Sequence, residues 1–297
     1  MEKRKPELGK WGCWRFFAKV PEIRKYLPST AVLTESSLRR YLEKYGSVYV
    51  KPSAGWGGRG ITKVWKRADG GYAFVVERGK AVHSDTMAQL YRKLHRRQRP
   101  GIVYIVQQGI QLAKIDGRAY DIRLMMMRVH GRWEYVGMLA KVAGKNSVIT
   151  NVARGQGYVA DIDTALRKSL GLSEKKRSAL KKEMIALGHR TVKRFEDWKH
   201  YSQIGLDLAV DVNGRLWMIE ENTGPAHSLF AKLKDQRMYR RIKEITGIWK
   251  RSKTKREAGK EKTKATGKAA GKSQMTEASK HGESARKGPS SSRKARR

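Results

Sequence analysis

The chain has 297 residues and a formal net charge of +39, long enough for one large or two smaller hydrophobic cores. It has no run near the roughly 18–20 apolar residues of a membrane span, and its basic N-terminus lacks the apolar stretch and cleavage site of a secretory signal. The single cysteine, Cys13, excludes an intrachain disulfide and a cysteine-based zinc site, so the reading is a cytoplasmic protein whose charge attracts polyanions without naming one.

In chain order, residues 10–26 and 34–45 carry apolar residues at helical spacing, with Pro28, Ser29 and Thr30 as a break between them. SVYVKP reads as a strand, AGWGGRG as a flexible loop and ITKVWKR as a second strand. Residues 84–97 look helical, VYIVQQGI is a strand, and AYDIRLMMMRV with RWEYVGMLAKVA forms a long hairpin turning at His130-Gly131. A basic helical stretch over 173–200 precedes a second hairpin, SQIGLDLAVDV and RLWMIEEN, and residues 228–249 are helical again. Strands and helices mix without regular alternation, which predicts an α+β fold with largely antiparallel sheets. Residues 250–297 hold 17 Lys/Arg and 4 Glu without aromatics or β-branched aliphatics, so they read as a disordered basic tail. That tail carries +13 of the charge, leaving +26 on the rest.

The second hairpin carries a candidate metal site. Asn213-Gly214 is a preferred two-residue turn, and closing there sets Val212 against Arg215 and Asp207 against Glu220. Asn222 lies two residues beyond Glu220, on the same face. Opposed carboxylates repel unless compensated, and a hard divalent cation with oxygen ligands compensates them; a solvated acidic face is the alternative. Glu221 points to the other face, and Asp211 sits near the turn as a solvated or supporting residue. In VKPSAGWGGRGITKV, clustered glycines let backbone N–H groups approach phosphates, and Lys51 and Arg59 add charge. No Gly-Lys-Ser/Thr follows, and the next segment is a strand, so this is neither a Walker A loop nor a dinucleotide fingerprint.

The order of these pieces resembles the ATP-grasp superfamily. Within it, LPST, VYVKPSAGWGGRGI, YIVQQGIQL, DIRLMM, NVARGQG and GLDLAVDVNGRLWMIEENTGP are similar to the YheC/YheD family over roughly residues 9–248, a family associated with endospore coats. The resemblance implies two α+β subdomains gripping ATP between their sheets. Residues 1–29 would be a helical lead-in, 30–104 the lid subdomain, 105–249 the subdomain with the metal site, and 250–297 the tail. It implies ATP contacts from Lys10 and Lys51, a lid built on Gly55, Gly57, Gly58 and Gly60, and an adenine-holding hinge at Gln107, Gln108 and Ile110. Arg123 and Arg154 resemble arginines placed near a transferred phosphate; an ion pair of Arg123 with Asp121 and an ordinary basic loop residue at Arg154 are the alternatives. Asp207, Glu220 and Asn222 match the ligands of Mg²⁺, or Mn²⁺ in its place.

The chemistry that the resemblance implies is ATP-dependent carboxylate–amine (or carboxylate–thiol) ligation through an acyl phosphate, with the carboxylate and its acceptor as the unknown partners. The other reading is a non-catalytic, spore coat-associated structural protein whose basic tail binds an anionic polymer or nucleic acid. Met125 to Met127 read as core, and the histidines show no spacing for a metal.

Overall fold

The computed structural model describes residues 8–55, 57–145, 147–150, 152, 156–254 and 257. The chain divides into two compact units, Met1–Ile242 and Lys243–Arg297. In the first unit, short helices α1 (Gly9–Phe17) and α2 (Pro21–Arg24) replace the single helical stretch expected over 10–26. Pro21 explains the division, since its ring suits the first turn of a helix and not the interior. Next come β1 (Thr30–Val32), α3 (Glu35–Tyr45), β2 (Ser47–Pro52), β3 (Thr62–Lys66), β4 (Tyr72–Val76), β5 (Val82–Ser84), α4 (Met87–His95) and β6 (Tyr104–Gln108). Then follow β7 (Lys114–Ile115), β8 (Arg118–Val129), β9 (Arg132–Val142), β10 (Tyr158–Ala160), α5 (Ile162–Leu170), α6 (Glu174–Glu196), β11 (Gln203–Val210) and β12 (Leu216–Asn222), with a 3₁₀ turn at His227–Lys232.

Two antiparallel sheets result. The first runs β1-β6-β2-β3-β4-β5 and the second β10-β9-β8-β11-β12, with β7 on β8. Strand β6 therefore belongs to the first sheet, although a boundary between 104 and 105 would leave most of it with the second. Alternation gives each sheet one apolar face. Val48, Val50, Val64, Phe74 and Val106 pack with Leu38 and Leu42 of α3 and Leu90 and Leu94 of α4. Ile122, Leu124, Met126, Leu206 and Leu208 pack with Leu166 of α5 and Met184 and Leu187 of α6. Each sheet's other face carries the polar residues: Tyr49, Lys51 and Gln107 on the first, Asp121, Arg123, Lys141, Asp207 and Glu220 on the second.

Thr34 caps α3 reciprocally, its hydroxyl accepting from the Ser37 N–H while the Ser37 hydroxyl accepts from the Thr34 N–H. The hairpin β8–β9 turns where the sequence places it, with His130 and Gly131 at φ +46° and +82°. Among the described residues no helix is long and apolar enough to cross a membrane. In the second unit, residues 243–254 are helical. Helix thus occupies the first positions of the segment assigned to the tail, because extending an existing helix costs far less than nucleating one. The rest of that segment, apart from residue 257, lies outside the described residues.

Candidate functional site

The N-terminus of α1 docks on the start of the glycine-rich loop. Lys10 and Trp11 donate backbone N–H bonds to the Ser53 carbonyl (2.8 Å) and hydroxyl (3.1 Å). Gly9 has φ +59°, and a Cβ there would sit 2.9 Å from the Ser53 carbonyl oxygen, so glycine permits the approach. This docking aims the Lys10 side chain inward, where Nζ donates to the Gly55 carbonyl at 2.8 Å and lies 3.0 Å from Glu220 Oε1. Gly55, Gly57, Gly58 and Gly60 all have positive φ, between +73° and +114°. The far end of the loop is tied by the Gly60 N–H to Glu77 Oε1 at 2.8 Å.

Lys10 and Lys51 line one cleft between the sheets, together with Trp14, Ile105, Gln107 and Glu220. Lys51 is only 5% exposed, and its Nζ donates to Gln107 Oε1 at 2.6 Å. Among the described residues no carboxylate lies within ion-pair distance of it. Burial drives its pKa down from 10.5 to about 8, against the pull of Glu220.

The second sheet brings a buried charge network to its polar face. Arg123 donates to both Asp207 oxygens, at 2.7 and 3.2 Å. Lys141 lies 3.0 Å from Asp207 and 3.1 Å from Asp121, and Thr150 donates its hydroxyl to Asp121. Arg123 therefore pairs with Asp207 and not with Asp121. Burial alone would raise the Asp207 carboxyl, but Arg123 and Lys141 outweigh it and hold the group well below the usual range. For Asp121 burial wins over Lys141 and pushes the carboxyl up to about 6.

Asp207 stands opposite Glu220, as the turn predicts, but by another route. The turn is not type I′: only Gly214 has positive φ. Asp211 pairs with Arg215, and its carboxylate accepts from the Asn213 and Arg215 N–H groups. This three-residue loop sets Leu208 against Met218, one residue out of the expected register, and a bulge between Asp207 and Leu208 restores it. Asn222 lies opposite Gly205, and its Oδ1 accepts from the Gly224 N–H at 3.0 Å. Among the described residues no group of three or more His, Cys, Asp or Glu could hold a metal. Two carboxylates and an amide oxygen on one face nevertheless suit a hard divalent cation that takes its remaining ligands from phosphate oxygens.

Gln107 is spent internally, accepting from Lys51 and donating to Thr30. Gln108 accepts from the Ser29 N–H, and with Ile110, Tyr45 and Trp217 it lines a second depression beside the link between the sheets. Arg154 lies outside the described residues. Sequence reasoning missed Lys141. The turn at His130-Gly131 would set Ala140 opposite Asp121, whereas a bulge between Met125 and Met126 moves Lys141 there.

Residues 4–247 match the model of the YheC/D-like ATP-grasp family. The chain belongs to that family. Membership implies ATP binding. The chain is similar to endospore coat-associated protein YheD of Bacillus subtilis (strain 168), 26% identical over 232 residues, 75% of this chain and 49% of that protein. It is also similar to endospore coat-associated protein YheC of the same strain, 22% identical over 221 residues, 73% of this chain and 59% of that protein. The chain thus spans about half the length of these curated relatives.

Proposed function

We propose that the chain binds ATP with Mg²⁺ in the cleft between its sheets and uses it to join a carboxylate to an amine. The observation that carries the binding mode is Lys51, a buried ammonium bonded to a neutral amide oxygen and lacking a carboxylate partner among the described residues. An unpaired buried charge is costly, and a nucleotide phosphate supplies the missing anion. In this reading Lys10 and the glycine loop hold the phosphates from one side, and Arg123 and Lys141 face them from the other. Asp207, Glu220 and Asn222 would hold Mg²⁺, or Mn²⁺, which supplies charge neutralisation at the phosphates. With the Gln107 and Gln108 side chains engaged elsewhere, the base falls to the backbone near Ile110 and to the adjoining apolar surface. Arg154 belongs to the same proposal as a second arginine near the acyl phosphate.

The reaction is attack of a carboxylate oxygen on the γ-phosphorus, with ADP leaving. An amine then attacks the acyl carbon and phosphate leaves. Positioning and charge stabilisation suffice for both steps, and no side-chain nucleophile is required. The relatives' endospore-coat names favour a spore-coat setting for this chain and keep a second reading, nucleotide binding without turnover in a structural role. Equilibrium ATP binding with and without Mg²⁺ tests the site. The double variant Glu220→Gln/Asn222→Ala should lose the Mg²⁺ dependence; unchanged Mg-ATP affinity sinks the metal assignment. ADP release with candidate carboxylate and amine acceptors tests ligation, and its absence alongside intact ATP binding selects the structural reading.

A further inference from the structure

Between Asp85 and Asp116 the chain has no carboxylate, yet Arg92, Lys93, Arg96, Arg97 and Arg99 fall within eight residues at the C-terminal end of α4 and the turn after it. All four arginines are exposed. Among the described residues none of the five cations has an acidic partner. Lys93 donates to the His83 carbonyl, Arg97 donates to the Lys93 carbonyl and lies over the Phe74 ring.

Helix α6 pairs part of its charge and leaves Lys175, Lys176 and Lys182 exposed without an acidic partner among the described residues. There Arg177 and Lys181 pair with Asp163, and Arg194 pairs with Asp197. A helix C-terminus welcomes one or two cations through its dipole; here Arg92 and Lys93 lie in its last turn, Arg96 is its C-cap, and Arg97 and Arg99 lie beyond it. Arg92 and Arg96 stand one turn apart, about 6 Å along the axis. Guanidinia at that separation can reach two phosphates of one strand at once. Four of the five cations are arginine, whose planar fork spans two phosphate oxygens and whose weak hydration lowers the cost of contact.

We infer that the Arg92–Arg99 surface docks a nucleic acid through its backbone phosphates. This does not depend on the nucleotide reading, and it places polyanion binding on the folded part, not only on the basic tail.

The test uses the full chain without nucleotide, so the tail is constant. One variant carries Arg92→Gln, Arg96→Gln and Arg99→Gln; a matched control carries Lys175→Gln, Lys176→Gln and Lys182→Gln on the exposed face of α6. Both lose the same net charge, and thermal unfolding verifies that both are folded. Affinities for duplex DNA, a glycerol-phosphate polymer and polyglutamate are measured across a salt series. The α4 variant should bind duplex DNA about tenfold or more weakly, with the log–log salt slope reduced by about 0.9 per lost phosphate contact. The control should change less than about twofold.

Equal losses in both variants, or none in the α4 variant, overturn the inference. Loss confined to DNA supports it, and loss confined to the glycerol-phosphate polymer overturns the nucleic-acid assignment. Polyglutamate binding as tight as DNA and equally sensitive to the α4 variant overturns the phosphate assignment. Displacement of DNA by excess Mg-ATP would move its binding to the nucleotide cleft and overturns the surface site.

Discussion

Replacing Lys51 with methionine should stabilise the protein while removing its nucleotide affinity. The ammonium is buried, and its pKa falls from 10.5 to about 8. At about 1.4 kcal/mol per tenfold change in proton affinity, keeping the charge at pH 7 costs about 3 kcal/mol. Methionine removes that cost but leaves Gln107 Oε1 without its 2.6 Å donor, a loss of about 1–3 kcal/mol. The net expectation at pH 7 is roughly 1 kcal/mol of added stability.

The pH dependence gives a cleaner signature. Below pH 8 folded and unfolded chains both protonate this lysine, and the penalty is constant. Between about 8 and 10.5 the unfolded chain binds more protons, so wild-type stability rises with pH relative to the variant. Urea unfolding of both proteins from pH 7 to 10, in EDTA and without nucleotide, measures the difference. Subtracting the two curves removes every other titrating group they share. Calorimetric titration with Mg-ATP should then show at least about a tenfold loss of affinity in the variant. A variant less stable at pH 7, with a curve parallel to wild type above pH 8, would refute the claim that Lys51 carries an unrelieved buried charge.

Asp207→Asn leaves Arg123 and Lys141, each 5% exposed, without their main counter-charge; denaturant unfolding should show about 3–5 kcal/mol of destabilisation, and a loss under 1 kcal/mol would mean that the network is solvated. Gly205→Ala puts a Cβ 2.8 Å from Pro225 Cβ and 3.0 Å from Arg123 Cδ, so it should cost about 1–3 kcal/mol and weaken ATP binding by shifting Arg123; unchanged thermal stability would contradict this packing. Thr34→Ala removes the hydroxyl from the α3 cap and should cost about 1 kcal/mol in thermal unfolding without altering ATP affinity. A change in affinity would show that α3 bears on the cleft more directly than its packing implies.

Local patterns already specified much of this protein. Alternation along LDLAVDV and LWMIEEN separates a core face from an acidic face, and helical spacing over 34–45 marks α3. The glycines of the loop at 55–60 were legible because left-handed backbone favours that residue. The order of motifs carried the family resemblance that the comparison over residues 4–247 shows. Short strands such as β1, β5 and β10 were not legible, since three residues hold too little periodicity and pairing partners define them.

What only the tertiary structure decided is register and partnership. A bulge moved Lys141, not Ala140, opposite Asp121. In the other hairpin a longer turn and a bulge offset one another, so Asp207 met Glu220 although the expected turn did not form. A one-residue slip carries a side chain to the opposite face of a sheet, and no local pattern counts bulges. Likewise, that Arg123 grips Asp207 and that Lys51 is left facing an amide are decided by residues 84 and 56 positions away. The chain's residue types declare which charges exist; burial between the sheets decides which of them still need an anion.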